Sequence, residues 1–242
     1  MNKELKNYLG IDDLDKTIYR IFPIDRFFEM IKEKKMVLVK PKLWDDPFEN
    51  LLLSSHFQSQ DGEIMGFESA NSVYGQCWTK NRESDAMWRI YSPNKDGIRV
   101  STTPRKLLSA LKEDVGEFSS VRCFLGKVEY KSQAKLLEAF SKINLLNTSG
   151  EGIAKSLLYK RLAFSHEKEI RLIYFGQDGK CKDDIFKFNF EPVNVIEHVL
   201  FDPRMNKEIR EAYKNYIKSL GYDFKIKIST LYDLPKKLTF KI

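Results

Sequence analysis

The sequence predicts an α+β fold: a single domain in which mixed or antiparallel strands are flanked by helices. The chain has 242 residues, of which 42% are hydrophobic and 31% charged, an ordinary balance for a soluble chain that can bury a core. No linker, repeat or low-complexity segment divides it, so one domain is expected, although two small ones would fit the length. Short strand patterns outnumber the helices that are long enough to cross over them, which favours α+β over a doubly wound sheet. We expect one domain over 1–242, with a core at about 17–232 and peripheral tails at 1–16 and 233–242.

The first elements are predicted to be a strand, a helix and a strand with short connections. Residues 17–22 have the pattern of a short strand that ends at Pro23, and 36–39 form a second strand before Pro41. Between them, 24–34 carries apolar residues at positions i, i+3, i+4 and i+7, which predicts an amphipathic helix.

Further along the chain, caps and prolines separate the predicted elements. Strands are expected at 73–79 and 97–101. One helix is expected after Ser84, and another begins at Pro104 with Thr103 as its N-cap. The remaining expected elements are a strand at 121–130, a helical pattern over 131–147, a helix at 156–162, strands at 170–175, 185–190 and 195–201, a helix at 206–220 and a strand at 224–228.

Charge and cysteine content limit the class of protein. The net charge of +7 and pI of about 9.1 permit a polyanionic partner, such as nucleic acid or a nucleotide, without demanding one. Three cysteines without metal-ligand spacing argue against a disulfide framework or a cysteine zinc site. There is no signal-peptide pattern and no run near the ~20 apolar residues of a membrane span. A cytoplasmic protein with no membrane partner is expected; the sequence does not indicate its oligomeric state.

The stretch 160–175, K-R-L-A-F-S-H-E-K-E-I-R-L-I-Y-F, has the most unusual pattern. A helix-like apolar segment is followed by four polar residues and then by a β-branched and aromatic run that predicts a buried strand. Because side chains alternate along a strand, Glu167, Glu169 and Arg171 are expected on one side. Two carboxylates and a guanidinium there can position a hydroxyl or stabilise a developing cation. The spacing also fits a solvated strand end with a Glu–Arg pair, and spacing alone favours that interpretation.

Charged residues also occur in two other unusual settings. Arg20 lies in the middle of a predicted strand, where a cation is costly unless paired, so it either reaches the sheet edge or serves a site. The turn L-W-D-D-P-F-E-N at 43–50 places Trp44 and Phe48 around an Asp-Pro pair. Its carboxylates lack the spacing of a calcium loop, so an acidic turn anchored by two aromatic residues is expected.

Six sequence motifs carry a family resemblance. They are Y-R near the N-terminus, W-D-D-P-F-E, Q-C-W-T, E-S-D-A-M-W-R-I-Y-S, G-I-R-V-S-T-T and K-R-L-A-F-S-H-E-K-E-I-R-L. None is specific alone, but the set resembles an uncharacterised prokaryotic family, domain-of-unknown-function family 2971. The resemblance covers about 19–232, and the family name brings no established activity with it.

The order of three motifs also resembles, more remotely, the R-S-E class of ADP-ribosyltransferases. These motifs are an Arg on the first strand, a Ser-Thr-Thr after a middle strand and a Glu-x-Glu at a later strand. The resemblance implies that Arg20 binds a phosphate of NAD and that Ser101 stiffens the NAD pocket and orders the catalytic Glu. It further implies that Glu169 holds the nicotinamide ribose and favours loss of nicotinamide, and that Glu167 lies where the acceptor is selected.

The same resemblance supplies the remaining expectations for the site. The residues expected to bind NAD are Arg20, Tyr19, Ser101, Thr102 and Arg171, and the expected catalytic residues are Glu169 and Glu167. Thr103 stands where the class has a second Ser, and Arg122, Arg161 and Arg171 are alternatives for the phosphate-binding role. NAD is implied as substrate, with no metal, a split sheet, and an acceptor that is nucleic acid, protein or water. A toxin or phage-defence effector is the biological role that this implies.

Two other classes of function are consistent with the sequence. Asp114 lies upstream of Glu129-Tyr130-Lys131 as in the D…E-x-K pattern of metal-dependent nucleases, where two carboxylates hold Mg²⁺ and the lysine activates water. A non-catalytic module is the third class: the lysine-rich residues 225–241 and exposed aromatics would hold nucleic acid or a partner protein.

Overall fold

The computed structural model describes residues 5–58, 61–66, 71–145, 147–176 and 183–234. They form a ten-stranded mixed sheet, two small two-stranded sheets and flanking helices, which confirms the α+β prediction. The strands are β1 (Tyr8–Leu9), β2 (Ile18–Phe22), β3 (Lys35–Val39), β4 (His56–Gln58), β5 (Ile64–Gly66), β6 (Val73–Thr79), β7 (Ile98–Thr102), β8 (Cys123–Lys127), β9 (Glu129–Lys131), β10 (Tyr159–Arg161), β11 (Glu169–Phe175), β12 (Ile185–Asn189), β13 (His198–Phe201) and β14 (Lys225–Lys227). The helices are α1 (Ile24–Glu33), α2 (Asp85–Tyr91), α3 (Pro104–Val115), α4 (Ser119–Arg122), α5 (Gln133–Ser141), α6 (Glu151–Ser156), α7 (Pro192–Val195) and α8 (Lys207–Ser219).

The large sheet has a continuous path and a branch. Its order is β1-β8-β11-β6-β2-β7-β13-β14, and β3 joins β6 and carries β12 on its other edge. The pairings are antiparallel except β1 with β8 and β13 with β14, which are parallel. Antiparallel pairs between elements distant in sequence, mixed with two parallel ones, are typical of an α+β domain.

The sheet splits beside β6. One edge of β6 pairs with β11 along its whole length, but the other edge is shared between two strands. β2 pairs with it only where Tyr19 lies opposite Thr79, and β3 only where Val39 lies opposite Gly75. Side chains bridge the gap between these contacts: Arg20 donates to the Cys77 carbonyl oxygen, and the side-chain amide of Gln76 donates to a β3 carbonyl at 2.9 Å. The split leaves room beside β6 for a functional site.

Two hydrophobic clusters hold the sheet and helices together. On β11, Ile170, Leu172 and Tyr174 belong to the larger cluster and Ile173 to the smaller one, because neighbouring side chains point to opposite faces. The apolar stripe of α1 is buried in the larger cluster, as its spacing predicts. Burial of about 25 cal/mol per Å² of such apolar surface is the main stabilising contribution to a core of this kind.

Most elements lie where the sequence predicts them. The predicted Thr103 cap forms, whereas the Ser84 side chain makes no cap hydrogen bond at the start of α2. Thr103 accepts a hydrogen bond from the Lys106 N–H at the start of α3, at 3.3 Å. Asn206 accepts from the Glu208 N–H at the start of α8, at 2.7 Å. None of the described helices is both long enough and apolar enough to cross a membrane.

The predicted helix at 156–162 is wrong. The chain leaves α6 at Ser156 and enters β10, which pairs in parallel with β9. Leu157 and Leu158 are buried in the smaller cluster, so their spacing reflects burial and not helical periodicity. The helix lies earlier in the chain because Gly150, at a φ of 74°, turns the backbone just before Glu151.

Two predicted strands are shorter than expected. The segment 121–130 divides into α4, β8 and β9, because β8 pairs with β11 in the large sheet whereas β9 pairs with β10. The segment 195–201 contributes only β13, because α7 occupies the residues up to Val195. For 121–130, tertiary pairing decides where the strands begin, which a local pattern does not record.

The N-terminal segment, expected to be a peripheral tail, contributes to the sheet. β1 adds an edge strand next to β8. The Asn7 side chain is buried and donates to the carbonyl oxygens of Ser120 and Cys123, at 3.0 and 2.8 Å. Of the lysine-rich end, Lys236, Lys237 and Lys241 lie outside the described residues, as does Cys181.

Candidate active site

A small cavity of about 60 Å³ lies at the split, next to β2, β6 and α2. Its walls are formed by β2, the end of β6, one face of α2 and two carboxylates. The lining residues that bear on its chemistry are Tyr19, Arg20, Cys77, Tyr91, Glu167 and Glu169.

A tight turn delivers both carboxylates to this place. A 3₁₀ helix (Leu162–Glu167) ends at Glu167, Lys168 adopts a left-handed φ of 47°, and β11 begins at Glu169. The Thr79 hydroxyl donates to the Glu167 carbonyl oxygen at 2.5 Å, and the Glu169 N–H donates to the Tyr130 hydroxyl at 2.8 Å. We had expected Glu167 on the strand, but it lies in the turn before it. The turn still brings Glu167 beside Glu169.

Lys160 on β10 joins the carboxylates into one buried cluster. Its Nζ lies 2.5 Å from Glu167 Oε2, 2.7 Å from Glu169 Oε1 and 3.1 Å from Glu49 Oε1. All four side chains are less than 9% exposed. Buried charges are tolerated only when they are paired in this way, so the four groups form one electrostatic unit.

Arg171 completes the cluster from behind Glu169. Its guanidinium donates to Glu169 Oε2 at 2.6 Å, to Glu49 and to the Leu157 carbonyl oxygen at 2.7 Å. It lies over the Trp44 ring, 4.5 Å from the centroid, and is completely buried. Arg171 therefore orients carboxylates and does not line the cavity, although the resemblance implied that it binds the cofactor.

The cluster, defined as Glu49, Lys160, Glu167, Glu169 and Arg171, holds three carboxylates and two cations. Burial raises the pKa of Glu167 to about 7, reinforced by its contact with Glu169 and opposed by Lys160. Burial also acts to raise the pKa of Glu169, but Arg171, Glu167 and Lys160 outweigh it and lower that pKa. Glu169 is thus held ionised, whereas Glu167 can gain or lose a proton near neutral pH.

Arg20 lines the cavity and carries a buried, unsatisfied donor. It bonds to the Cys77 carbonyl oxygen and lies over the Phe22 ring, 5.1 Å from the centroid. Its Nε is the buried side-chain nitrogen that lacks a hydrogen-bond partner among the described residues. Because an unpaired buried donor is costly, this nitrogen marks a place where an anionic ligand would be stabilising.

Tyr91 on α2 contacts the carboxylates from across the cavity. Its hydroxyl donates to Glu167 Oε1 at 3.3 Å. Burial, with the charges of Glu167 and Glu169, raises the pKa of the Tyr91 hydroxyl, so it remains a donor. The Cys77 thiol is not a nucleophile here, because burial raises its pKa to about 12.

The structure brings together some of the predicted site residues and not others. Arg20, Tyr19, Glu167 and Glu169 line one cavity. Ser101 is fully buried and its hydroxyl donates to the His198 carbonyl oxygen at 3.0 Å, so it ties β7 to β13 and does not line the cavity.

The other residues considered for NAD binding lie elsewhere. The Thr102 hydroxyl donates to the Val195 carbonyl oxygen at 2.7 Å and is also fully buried. Arg122 lies over the Phe118 ring, and Arg161 forms an ion pair with Asp46 at 2.9 Å. Of the four arginines considered for the phosphate, Arg20 is therefore the one at the cavity.

The residues of the alternative nuclease site do not converge. Asp114 accepts hydrogen bonds from Asn189 on β12, at 3.1 Å from its backbone N–H and 2.7 Å from its side chain. Glu129 and Lys131 form their own ion pair at 2.8 Å on β9. Within the described ranges, no group of three or more His, Cys, Asp or Glu side chains could hold a metal ion.

Three residues of the site were not identified from the sequence. Lys160 and Glu49 belong to motifs that we recognised, but nothing local indicates that they meet across 111 positions in a buried cluster. Tyr91 was not expected at a site, although it lines the cavity. The available signal was the charge of Glu49 directly after Phe48 and near Trp44, since a carboxylate beside aromatic anchors requires a partner.

Comparisons with known proteins give weak structural similarity. Curated proteins give no match to this sequence. Among solved structures, Thermus sp. 2.9 DarT in complex with NAD+ is 11% identical, with 90% of this chain and 96% of that chain covered at a TM-score of 0.41. The same protein in complex with ADP-ribosylated ssDNA is 11% identical, with 91% of this chain and 96% of that chain covered at a TM-score of 0.41. In complex with carba-NAD+ it is 10% identical, with 90% of this chain and 97% of that chain covered at a TM-score of 0.40. Similarity this low does not transfer the role of any residue.

The family comparison covers the middle of the chain, from α2 through β7 and β10 into β11. This part includes Tyr91, Lys160, Glu167 and Glu169. Residues 87–172 match the model of the family described as Protein of unknown function (DUF2971), which confirms the family resemblance over this part of the chain.

Proposed function

We propose that this protein is an ADP-ribosyltransferase-like enzyme that uses NAD as its substrate. The observation that carries the proposal is one cavity that Arg20, whose Nε lacks a hydrogen-bond partner, lines together with Glu167 and Glu169. A guanidinium suits a pyrophosphate, and fixed carboxylates suit a sugar on which positive charge develops.

The proposed roles follow from the charge of each group. Arg20 binds a phosphate of NAD through its free donor. Glu169, held ionised by Arg171 and Lys160, stabilises the positive charge that develops on the ribose when the bond between its C1′ and the nicotinamide nitrogen breaks. Because the ground state carries less charge at C1′, this interaction favours the transition state.

Glu167 is suited to the second half of the reaction. An acceptor oxygen or nitrogen forms the new bond to C1′ and loses its proton to the Glu167 carboxylate, while nicotinamide leaves as the neutral base. A pKa of about 7 lets Glu167 accept this proton near neutral pH. With water as the acceptor, the products are ADP-ribose, nicotinamide and a proton. Nucleic acid and protein are the other acceptors that we propose.

The size of the cavity sets a condition on substrate binding. Pockets that bind small-molecule ligands measure about 300–1,000 Å³, whereas this cavity measures about 60 Å³, which is too small for NAD as it stands. The residues present suit a phosphate and a ribose, but the dinucleotide enters only if a wall moves. The 3.3 Å contact between Tyr91 and Glu167 is the one that we expect to open, because it is longer than those of Lys160.

The proposal is tested by measuring the release of nicotinamide from NAD by the wild-type protein and by the Glu169→Gln variant. The substitution keeps the shape and removes the charge, so turnover should fall at least a hundredfold. Glu129→Gln is the matched control: it removes a carboxylate from an exposed ion pair on β9 and should leave turnover unchanged.

Two results would contradict the proposal. One is a wild-type protein that neither binds NAD in calorimetry nor releases nicotinamide with single-stranded DNA, RNA or protein acceptors present. The other is a folded Glu169→Gln variant that is as active as wild type. If the protein acts as a toxin or phage-defence effector, expression of the wild-type protein should arrest growth of a bacterial host, and the Glu169→Gln variant should not.

A further inference from the structure

A row of cations lies on one face of the sheet, outside the carboxylate cluster. In the register of β7, β13 and β14, Leu200 lies between Arg99 and Lys227, and His198 pairs with Lys225. Partners in register share a face of the sheet, so these side chains lie together. Arg82, whose carbonyl oxygen accepts a hydrogen bond from Arg99, extends the row. We call Arg82, Arg99, Lys225 and Lys227 the basic strip.

The cations of the basic strip influence one another. Burial first, and then repulsion from Lys225, Arg82 and Arg99, lowers the pKa of Lys227. Burial and the neighbouring Lys227 and Arg99 lower the pKa of His198 to about 4, so His198 is neutral at physiological pH and accepts a hydrogen bond from Lys227 at 3.1 Å. Such repulsion destabilises the protein alone and is relieved when an anion binds.

The nearby carboxylates offset the charge of the strip only from a distance, Glu83 acting on Arg99 and Glu197 on Lys227. Among the described residues, no carboxylate lies within salt-bridge distance of Arg82, Arg99, Lys225 or Lys227. Glu83 instead accepts from the Ser229 hydroxyl at 2.5 Å and from the Trp88 indole at 3.4 Å. Glu197 forms an ion pair with Lys106 at 3.0 Å.

The strip reaches a residue that lines the cavity. The Arg99 guanidinium lies over the Tyr19 ring, 4.8 Å from its centroid, and Tyr19 lines the cavity. Arg99 is 5% exposed, so it anchors the buried end of the strip, whereas Arg82 and Lys225 are exposed. A linear polyanion bound along the strip would therefore be led toward the candidate active site.

We infer that the basic strip binds the phosphodiester backbone of a single-stranded nucleic acid. Evenly spaced phosphates match a row of cations on adjacent strands, and the contact requires no base recognition. This binding needs no NAD, so it can be tested whether or not the proposed reaction occurs.

Fluorescence anisotropy with labelled 12-nucleotide single-stranded DNA and RNA of mixed sequence, over a range of salt concentrations and without NAD, tests the inference. In Lys225→Gln/Lys227→Gln, the affinity should fall at least tenfold, and the slope of log affinity against log salt should decrease by about 1 for each lysine removed. These surface substitutions leave the anchoring Arg99 in place, so folding should be retained.

Lys32→Gln/Lys218→Gln is the matched control. It makes the same change in net charge at exposed lysines of α1 and α8, outside the strip, and should change affinity less than twofold. Equal losses in the two double variants would show a general effect of net charge and overturn the inference. Failure of the wild-type protein to bind either oligonucleotide would overturn it too, as would equally tight, Lys225- and Lys227-dependent binding of a polyglutamate peptide.

Discussion

The Nζ of Lys160 lies 2.5 Å from Oε2 of Glu167, and both side chains are less than 9% exposed. This ion pair connects β10 to the turn that precedes β11. Because the same Nζ also binds Glu169, Lys160 sets the distance between the two carboxylates of the candidate site. One cation thus maintains both the fold of this region and the charge of the cavity.

Replacement of Lys160 by Met should strongly destabilise the protein. It would leave Glu49, Glu167 and Glu169 buried with only Arg171 to balance them, and the loss of one partner from a buried ion pair costs about 3–5 kcal/mol. Urea denaturation measures the change in the free energy of unfolding. Lys131→Met, which removes an exposed ion pair with Glu129, should cost less than about 1 kcal/mol. Equal effects of the two substitutions would show that the cluster does not act as a unit.

Much of the fold could be predicted from the sequence, because local patterns determine it. The stripe of α1 and the Thr103 cap of α3 depend on residues close in the chain, and both form as expected. By contrast, β10 exists because Tyr159–Arg161 pairs with β9, and no local signal records that pairing.

Part of the candidate site could also be predicted from the sequence, but not the residues that long-range packing brings to it. The Glu-x-Glu motif and Arg20 are visible in the sequence, and the structure places them at one cavity. Glu49 and Lys160 reach it only through long-range packing of the acidic turn against β10 and β11. Ser101 and Thr102 were assigned from their order in the chain, but their hydroxyls bind backbone carbonyls of neighbouring segments.

The stability of the protein should depend on Glu167 between about pH 4.5 and pH 7. The folded protein raises the pKa of this group from 4.5 to about 7, so over that interval the folded state retains a proton that the unfolded chain loses. The contribution of Glu167 is therefore complete below about pH 4.5 and is lost as the pH rises through 7. Glu169, with its lowered pKa, acts in the opposite direction only at lower pH.

Denaturation midpoints of the wild-type protein and Glu167→Gln, measured from pH 4.5 to pH 8, isolate this contribution. The wild-type midpoint should fall relative to the variant midpoint as the pH rises, because Gln does not titrate. Parallel curves over the whole range would show that Glu167 does not retain a proton in the folded state.

Arg20→Lys should weaken NAD binding while the protein remains folded. Lysine keeps the positive charge but lacks the planar fork of donors that binds a pyrophosphate. The loss of one charge-assisted hydrogen bond, about 1.5–3 kcal/mol, corresponds to about 10- to 150-fold in affinity. Isothermal titration calorimetry with NAD measures this change, and thermal unfolding checks the fold.

Arg26→Lys, on the exposed face of α1, is the control and should bind NAD like the wild-type protein. Unchanged affinity of Arg20→Lys would remove Arg20 from the binding site.

Gly75→Ala should disturb the candidate site through the Trp44 ring, on the same face of the sheet as Arg171. A Cβ at Gly75 would lie 2.6 Å from Cζ2 of Trp44, so the indole must move. Trp44 supports the Arg171 guanidinium, which in turn orients Glu169, and a displaced ring would therefore loosen the carboxylate cluster. Overpacking of this kind costs about 1–3 kcal/mol.

Gly66→Ala, where an added Cβ meets no atom within 4 Å, is the matched control. We expect Gly75→Ala to unfold at lower urea and to release nicotinamide more slowly than Gly66→Ala. If the two variants are alike, Trp44 can move without affecting Arg171, and the support of the cluster must come from Glu49 and the Leu157 carbonyl oxygen alone.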